Sequence, residues 1–125
     1  MRLLFDSHAV LWWLQDDRRI SSTVRDAVAD QAHTPFFSPV TAYELLQKQR
    51  AGKLRGVPDG MHDLLVGDGF APLPLTFAHA AAAAELPMHH RDPWDRLLIA
   101  QAEVQGLTVV SANTVFRRYG VKVIW

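Results

Sequence analysis

Short apolar runs alternate along this chain with stretches that read as helices, and this alternation constrains the fold more than any other feature. Leu3 to Phe5 is a short apolar strand that ends at Asp6, and Ser7 to Leu14 reads as a helix. A second helix is expected from about Ser22 to Ala32, with Ser21 or Ser22 as its cap. Pro35 to Phe37 reads as a strand, since Pro is tolerated at a strand start. Ser38-Pro39 has the pattern of an N-cap followed by Pro at the first helical position, and that helix runs to about Ala51 and stops at Gly52. After a turn at Gly56 to Pro58, Asp59 starts another short helix. Phe70 to Leu75 is a possible strand, weakened by Pro72 and Pro74. Phe77 to about Leu86 is helical, with strong helix formers at Ala80 to Ala84. Asp92-Pro93 opens a helix that runs to Gln105 and ends at Gly106. Leu107 to Val110 is the clearest buried strand. Asn113 caps a last short helix ending near Tyr119-Gly120, and Val121 to Trp125 closes as a strand.

Such alternation predicts an α/β domain, a mostly parallel sheet of about five strands with helices on both faces. In sheets of this kind, ligands bind beyond the carboxyl ends of the strands. Asp6, Asp92, Asp95 and Asn113 all fall just after a strand or at a helix start. Asp92 is the weakest of these placements, because no clear strand precedes it.

A length of 125 residues suits one domain spanning 1–125. Apolar residues at 49% against 21% charged argue for a packed core rather than disorder. Thirteen basic side chains balance thirteen acidic ones, so no global charge points to nucleic acid or to an acidic partner. The absence of Cys excludes a disulfide scaffold, a zinc ribbon and a cysteine nucleophile, and fits a reducing compartment. No apolar run approaches the ~20 residues of a membrane span. The charge of Asp6 within the first apolar stretch is unlike a signal peptide. The expected setting is the cytoplasm, away from membranes.

Four acids carry the chemical interest. Asp6 can cap the first helix, or point into the crevice beyond the sheet. Glu44 can form a surface pair with Lys48, four residues on, or sit at the edge of the stripe Val40, Tyr43 and Leu46 in a half-buried site. Asp92 is placed to cap its helix, and Asp95 lies in the first turn, where a carboxylate suits the helix dipole and still reaches beyond the strand ends. Converging carboxylates must take up a proton or share a cation. Oxygen ligands without a His or Cys cluster favour Mg²⁺ or Mn²⁺ over zinc. The six His form no metal-ligand spacing, and none is assigned a ligand role. His8 is placed to orient Asp6 or to pack as a hydrogen-bonded core residue. No residue has the setting of a covalent nucleophile with a paired base, so activated water is the expected attacker.

LLFDSHAVLWWL, SPVTAYELLQKQRAGKL, HRDPWDRLLIAQA and GLTVVSANTVFRRYGVKVIW together resemble the PIN-domain ribonucleases, and most closely the VapC-type toxins of type II toxin–antitoxin pairs. The resemblance covers essentially the whole chain, in order. It implies Mg²⁺- or Mn²⁺-dependent hydrolysis of RNA phosphodiesters, a cognate antitoxin and a homodimer. By residue, it implies that Asp6, Glu44 and Asp95 are catalytic metal ligands and that Asp92 is a supporting acid of the same set. The fourth acid of the family falls where this chain has Asn113, which removes one charge and puts a second metal ion in question. Ser7 and Ser111 stand beside these positions as candidates to orient carboxylates or water.

Local basic clusters are the expected RNA contacts, namely Lys48, Arg50, Lys53, Arg91 and Arg96 around the acidic pocket. Each cluster is equally readable as a solvated face. Trp12 and Trp13 make the first helix apolar on more than one face. One fits core packing and the other a dimer or antitoxin surface. Two other readings compete. Asn113 motivates a PIN fold that binds RNA or an antitoxin but cuts poorly. A receiver-type signalling domain shares the length and the first Asp, but it requires an Asp after its third strand and a Lys after its fifth, whereas here Thr76 follows Leu75 and no Lys follows Leu107 to Ser111.

Overall fold

The computed structural model describes residues 1–125. Five strands, β1 (Arg2–Phe5), β2 (Thr34–Phe37), β3 (Ala71–Pro72), β4 (Thr108–Val110) and β5 (Val123–Ile124), make one sheet in the order β3-β2-β1-β4-β5. Every neighbouring pair is parallel. Six α-helices, α1 (Ser7–Leu14), α2 (Ser22–Ala29), α3 (Pro39–Arg50), α4 (Met61–Gly67), α5 (Phe77–Glu85) and α6 (Pro93–Gln105), and a 3₁₀ helix (Thr114–Tyr119) complete the chain.

The expected α/β architecture is present, and its two faces follow from the pleat. Successive strand residues point to opposite sides. Leu3 and Phe5 enter one core with Ala9, Val10, Val24, Leu45 and Leu65, which come from α1 to α4. Leu4 enters the other with Ala83, Leu98, Ile99 and Phe116 from α5, α6 and the 3₁₀ helix. The strand order matters for the site. The chain builds outward from β1 through β2 to β3, then returns to place β4 on the other side of β1. The carboxyl ends of β1 and β4 therefore flank the point where the direction reverses, the preferred ligand crevice of an open α/β sheet.

Local deviations from the sequence expectations have simple causes. The stretch Phe70 to Leu75 pairs over Ala71–Pro72, since Pro72 and Pro74 have no N–H to donate. Leu73 N–H still bonds Phe37 O at 2.8 Å. The second helix ends at Ala29, because Asp30 turns extended and its carboxylate accepts from Ala32 N–H at 2.9 Å. The short fourth helix begins at Met61 after Gly60 in a left-handed conformation, with φ 71. The last strand is confined to two residues. No helix is long and apolar enough to cross a membrane.

Candidate active site

Asp6 follows β1 directly. One carboxylate oxygen accepts from Ala9 N–H at 2.8 Å and so caps α1. The other accepts from Ser111 Oγ at 2.5 Å, bridging the ends of β1 and β4. Both roles read from the sequence are therefore held at once, capping and an inward position, for Asp6 is 4% exposed. Burial lifts its carboxyl to about 6, against the hydrogen bonds from Ser111 and Ala9, and the charge of Glu44 pushes the same way.

Glu44 rides on α3, whose start is fixed by Ser38: its Oγ accepts from Val40 N–H at 3.1 Å, and Pro39 takes the first helical position. Glu44 is only 3% exposed. One oxygen is paired with Lys48, and Oε1 is buried with no partner at all. Burial disfavours the Lys48 ammonium, but the bond to Glu44 and the charges of Glu44, Asp92 and Asp95 outweigh that and raise it above its ordinary value.

Asp92 caps α6 by accepting from Asp95 N–H at 3.0 Å, with Pro93 in the first turn. Asp95 Oδ2 lies 2.8 Å from His90 Nε2. Its carboxyl is pushed up to about 6, by burial first, against the His90 hydrogen bond, and further by the charges of Asp92, Glu44 and Asp6. The acids thus share one field, but they are not drawn into a single tight triad. The set whose ligand atoms all lie within 4.8 Å of one another is His90, Asp92 and Asp95. Asp6 is engaged with Ser111 and Glu44 with Lys48.

Several expectations need correction. His90 belongs to the cluster, although no His was given a ligand role. The sequence held one hint, the adjacency of His89-His90-Arg91 to Asp92. His8 neither packs nor orients Asp6. It is exposed, with its ring 5.7 Å from that of Trp12. Ser7 does not orient a carboxylate, for its Oγ meets Thr41 Oγ1 at 3.2 Å. Ser111 does, and also accepts from Asn113 N–H at 2.9 Å. Asn113 is exposed and caps the 3₁₀ helix through Val115 N–H. Arg96 is no RNA contact. It is 8% exposed and its guanidinium donates to Ala83 O and Leu86 O at 2.9 Å and to Pro87 O at 2.8 Å. Arg50, Lys53 and Arg91 are exposed. Trp12 and Trp13 are both half-buried against the first core. The Trp13 indole donates to Asp68 at 2.9 Å, and Arg19 stacks 4.4 Å over Trp12.

The donor set fits a hard divalent cation. It offers carboxylate oxygens, one of them buried and unpartnered, and two carboxyls whose charge burial makes costly until a cation offsets it. Asp6, Glu44, Asp92 and Asp95 could hold such an ion, with His90 positioned on Asp95.

The fold recurs in toxin–antitoxin assemblies. VapBC2 from Rickettsia felis, bound to a DNA fragment from its promoter, superposes with a TM-score of 0.75 at 13% identity, over 99% of this chain and 98% of that one. DNA-bound VapBC from Salmonella typhimurium gives 0.71 at 15% identity, over 99% and 97%. A toxin–antitoxin complex from Klebsiella pneumoniae gives 0.66 at 17%, over 98% and 96%. No curated protein sequence matches the chain. The family model of the PIN domain matches residues 3–122, nearly the whole length, and the chain belongs to the PIN-domain family.

Proposed function

We propose that this protein is a Mg²⁺- or Mn²⁺-dependent endoribonuclease, the toxin of a type II toxin–antitoxin pair. One observation carries the reading. Asp6, Glu44 and Asp95 are buried or nearly so beside the sheet's switch point, in one another's field, with Glu44 Oε1 unpartnered. Such a nest is unstable without positive charge. When bound, the cation supplies Lewis-acid polarisation of the scissile phosphate and a lowered pKa for an attacking water. The chain's own groups do the rest. Ser111 and the Ala9 N–H fix the Asp6 carboxylate, His90 fixes Asp95, and Lys48 holds Glu44 while offering a charge to phosphate. Arg50, Lys53 and Arg91 are the proposed backbone contacts, which make RNA binding salt-dependent. Reversing two of these charges weakens binding and flattens its salt slope. Unchanged affinity at low salt rejects that assignment.

The antitoxin is proposed to sit on the groove of about 320 Å³ beside Trp12, Trp13, Ile20 and Asp68. The structures similar to this chain are complexes of this kind. A second copy of the chain is proposed as a further partner.

The test is Mn²⁺-dependent cleavage of a structured RNA by wild type and by Asp6→Asn. Wild type cuts, and the variant loses at least about a hundredfold in rate, the scale of a removed charge-stabilising group. Equal cleavage by both assigns the activity to a contaminant. Binding without cleavage by wild type selects the second reading, a PIN module that cuts poorly, which the uncharged and exposed Asn113 favours.

A further inference from the structure

A second concavity opens on the same carboxyl edge, over β2 and β3 rather than β1 and β4. It has a volume of about 360 Å³ and is lined by Phe37, Thr41, Ala42, Met61, His62 and Pro72 among others. That volume falls at the lower end of the ~300–1,000 Å³ of small-ligand pockets. Its walls are fixed. Phe37 O is bonded by Leu73 N–H at 2.8 Å, and the buried Gln101 amide reaches the carbonyls of Leu73 and Pro74, both at 3.5 Å. Phe37 and His62 meet with ring centroids 5.6 Å apart and planes at 75°, which makes an aromatic corner. Phe37 is buried in the first core and backs the exposed His62 ring, so a flat heterocycle stacked on His62 presents its edge to Phe37. His62 Nδ1 lies 3.1 Å from Asp63, so its Nε2 is free for an outside partner.

The pocket and the acidic nest are linked through one buried hydrogen bond. Thr41 lines the pocket, and its hydroxyl touches Ser7, the residue after Asp6. Thr41 also precedes Glu44 by three residues on α3, so the two lie on neighbouring turns of one helix face. Neighbouring strands are only ~4.8 Å apart, which sets the lateral offset of the two sites at one or two strand widths.

We propose that this pocket receives an unstacked base of the RNA next to the cleaved phosphodiester and sets which sequence is cut. The inference rests on the ribonuclease reading. Single-stranded RNA is read by splayed bases stacked on aromatic side chains and bonded at their edges, and the Phe37–His62 corner with its apolar Met61 and Pro72 walls has that chemistry.

The test has two arms. In the first, wild-type protein carrying ¹³C-labelled methionine methyls is titrated with each of the four nucleoside monophosphates without divalent ion. At least one should move the Met61 signal saturably and leave Met1 and Met88 in place. No movement of Met61 with any of the four overturns the proposal, whether or not the protein cuts RNA. In the second, a randomised RNA pool is cut with Mn²⁺ by wild type and by Ala42→Leu, which fills the pocket. Wild type should prefer one base beside the cut, and the variant should lose about tenfold of that preference, the scale of one lost stacking contact. If both cut with the same preference, the pocket is not the reader and the nuclease reading stands. If wild type cuts nothing while Met61 titrates, the pocket binds a base, but its role in choosing the cut is overturned together with the nuclease reading.

Discussion

Two neighbouring residues, Asp95 and Arg96, have opposite fates, and helix geometry explains why. Successive helical residues diverge by ~100°. With Asp95 at the acidic nest, Arg96 turns into the body of the protein and ties the carbonyls of Ala83, Leu86 and Pro87 together. The charge of Arg96 was legible in the sequence, but its direction was not, because nothing local announces carbonyls left open by the exit of α5. Arg96→Ala should therefore destabilise by about 3 kcal/mol in urea unfolding, since it strands several buried carbonyls at once. The exposed Arg91→Ala should stay within about 0.5 kcal/mol. Equal effects would refute the distinction. The acids make the opposite prediction, about pH. The carboxyls of Asp6 and Asp95 are raised to about 6 from 3.8. Below pH 4 both are protonated folded and unfolded, and they contribute nothing. Between pH 4 and 6 the folded state holds more protons than the unfolded one, so metal-free stability falls as pH rises. Above pH 6 the full penalty is present. Asp17, held down to about 2 chiefly by its hydrogen bonds with Arg19, acts below that window and with the opposite sign. The melting temperature in EDTA should drop between pH 4.5 and 7, and Asp95→Asn should flatten the drop. Mn²⁺ should raise it more at pH 7 than at pH 4.5. An identical profile for variant and wild type would sink the assignment.

At the scale of the element, α6 shows how one residue serves fold and site together. Asp92 closes the first turn through Asp95 N–H, and Gly106 ends the helix at φ +66, a conformation suited to glycine. Both ends were legible, because D-P at a start and G at a stop are local signals. The edges of β3 and β5 were not, because pairing there depends on which partner the sheet presents. That Asp6, Glu44 and Asp95 do not close into one tight triad was not legible either. The side chains lie in one field, but each is met by a neighbour, Ser111, Lys48 or His90, that pattern alone does not place. The double role of Asp92 can be separated. Asp92→Asn keeps an N-cap acceptor and should leave stability within about 0.5 kcal/mol, while Asp92→Ala should cost about 1 kcal/mol. Both remove one negative charge beside Asp95 and should weaken Mn²⁺ binding in calorimetric titration by a similar factor. Full Mn²⁺ affinity in Asp92→Asn would confine Asp92 to capping.

At the scale of the whole molecule, several large apolar side chains lie outside the two cores, and one group of them forms a strip on one side. Tyr43 is 57% exposed and Leu46 49%, one turn apart on α3, and Leu75 is 41% exposed nearby. Trp94 of α6 lies against Tyr43, with ring centroids 4.9 Å apart, and Leu97 continues the strip by one turn. Aromatic and aliphatic side chains gathered this way are costly to leave in water, and rings of this kind anchor interfaces. Glu44 shares the helix, but it points inward while Tyr43 and Leu46 point out, so the strip and the acidic nest are on different faces. Association of two copies through the strip would thus leave both nests uncovered. Sedimentation equilibrium should find wild type as a dimer at micromolar concentration. Tyr43→Glu combined with Leu46→Glu should weaken association by at least about a hundredfold, since two charges would be forced into an apolar contact. The double variant should keep its far-UV circular dichroism and its Mn²⁺ affinity, because neither side chain supports the nest. A wild type that stays monomeric up to about 100 μM would leave the strip without a self-partner, whereas a double variant that still dimerises would move the interface to another face.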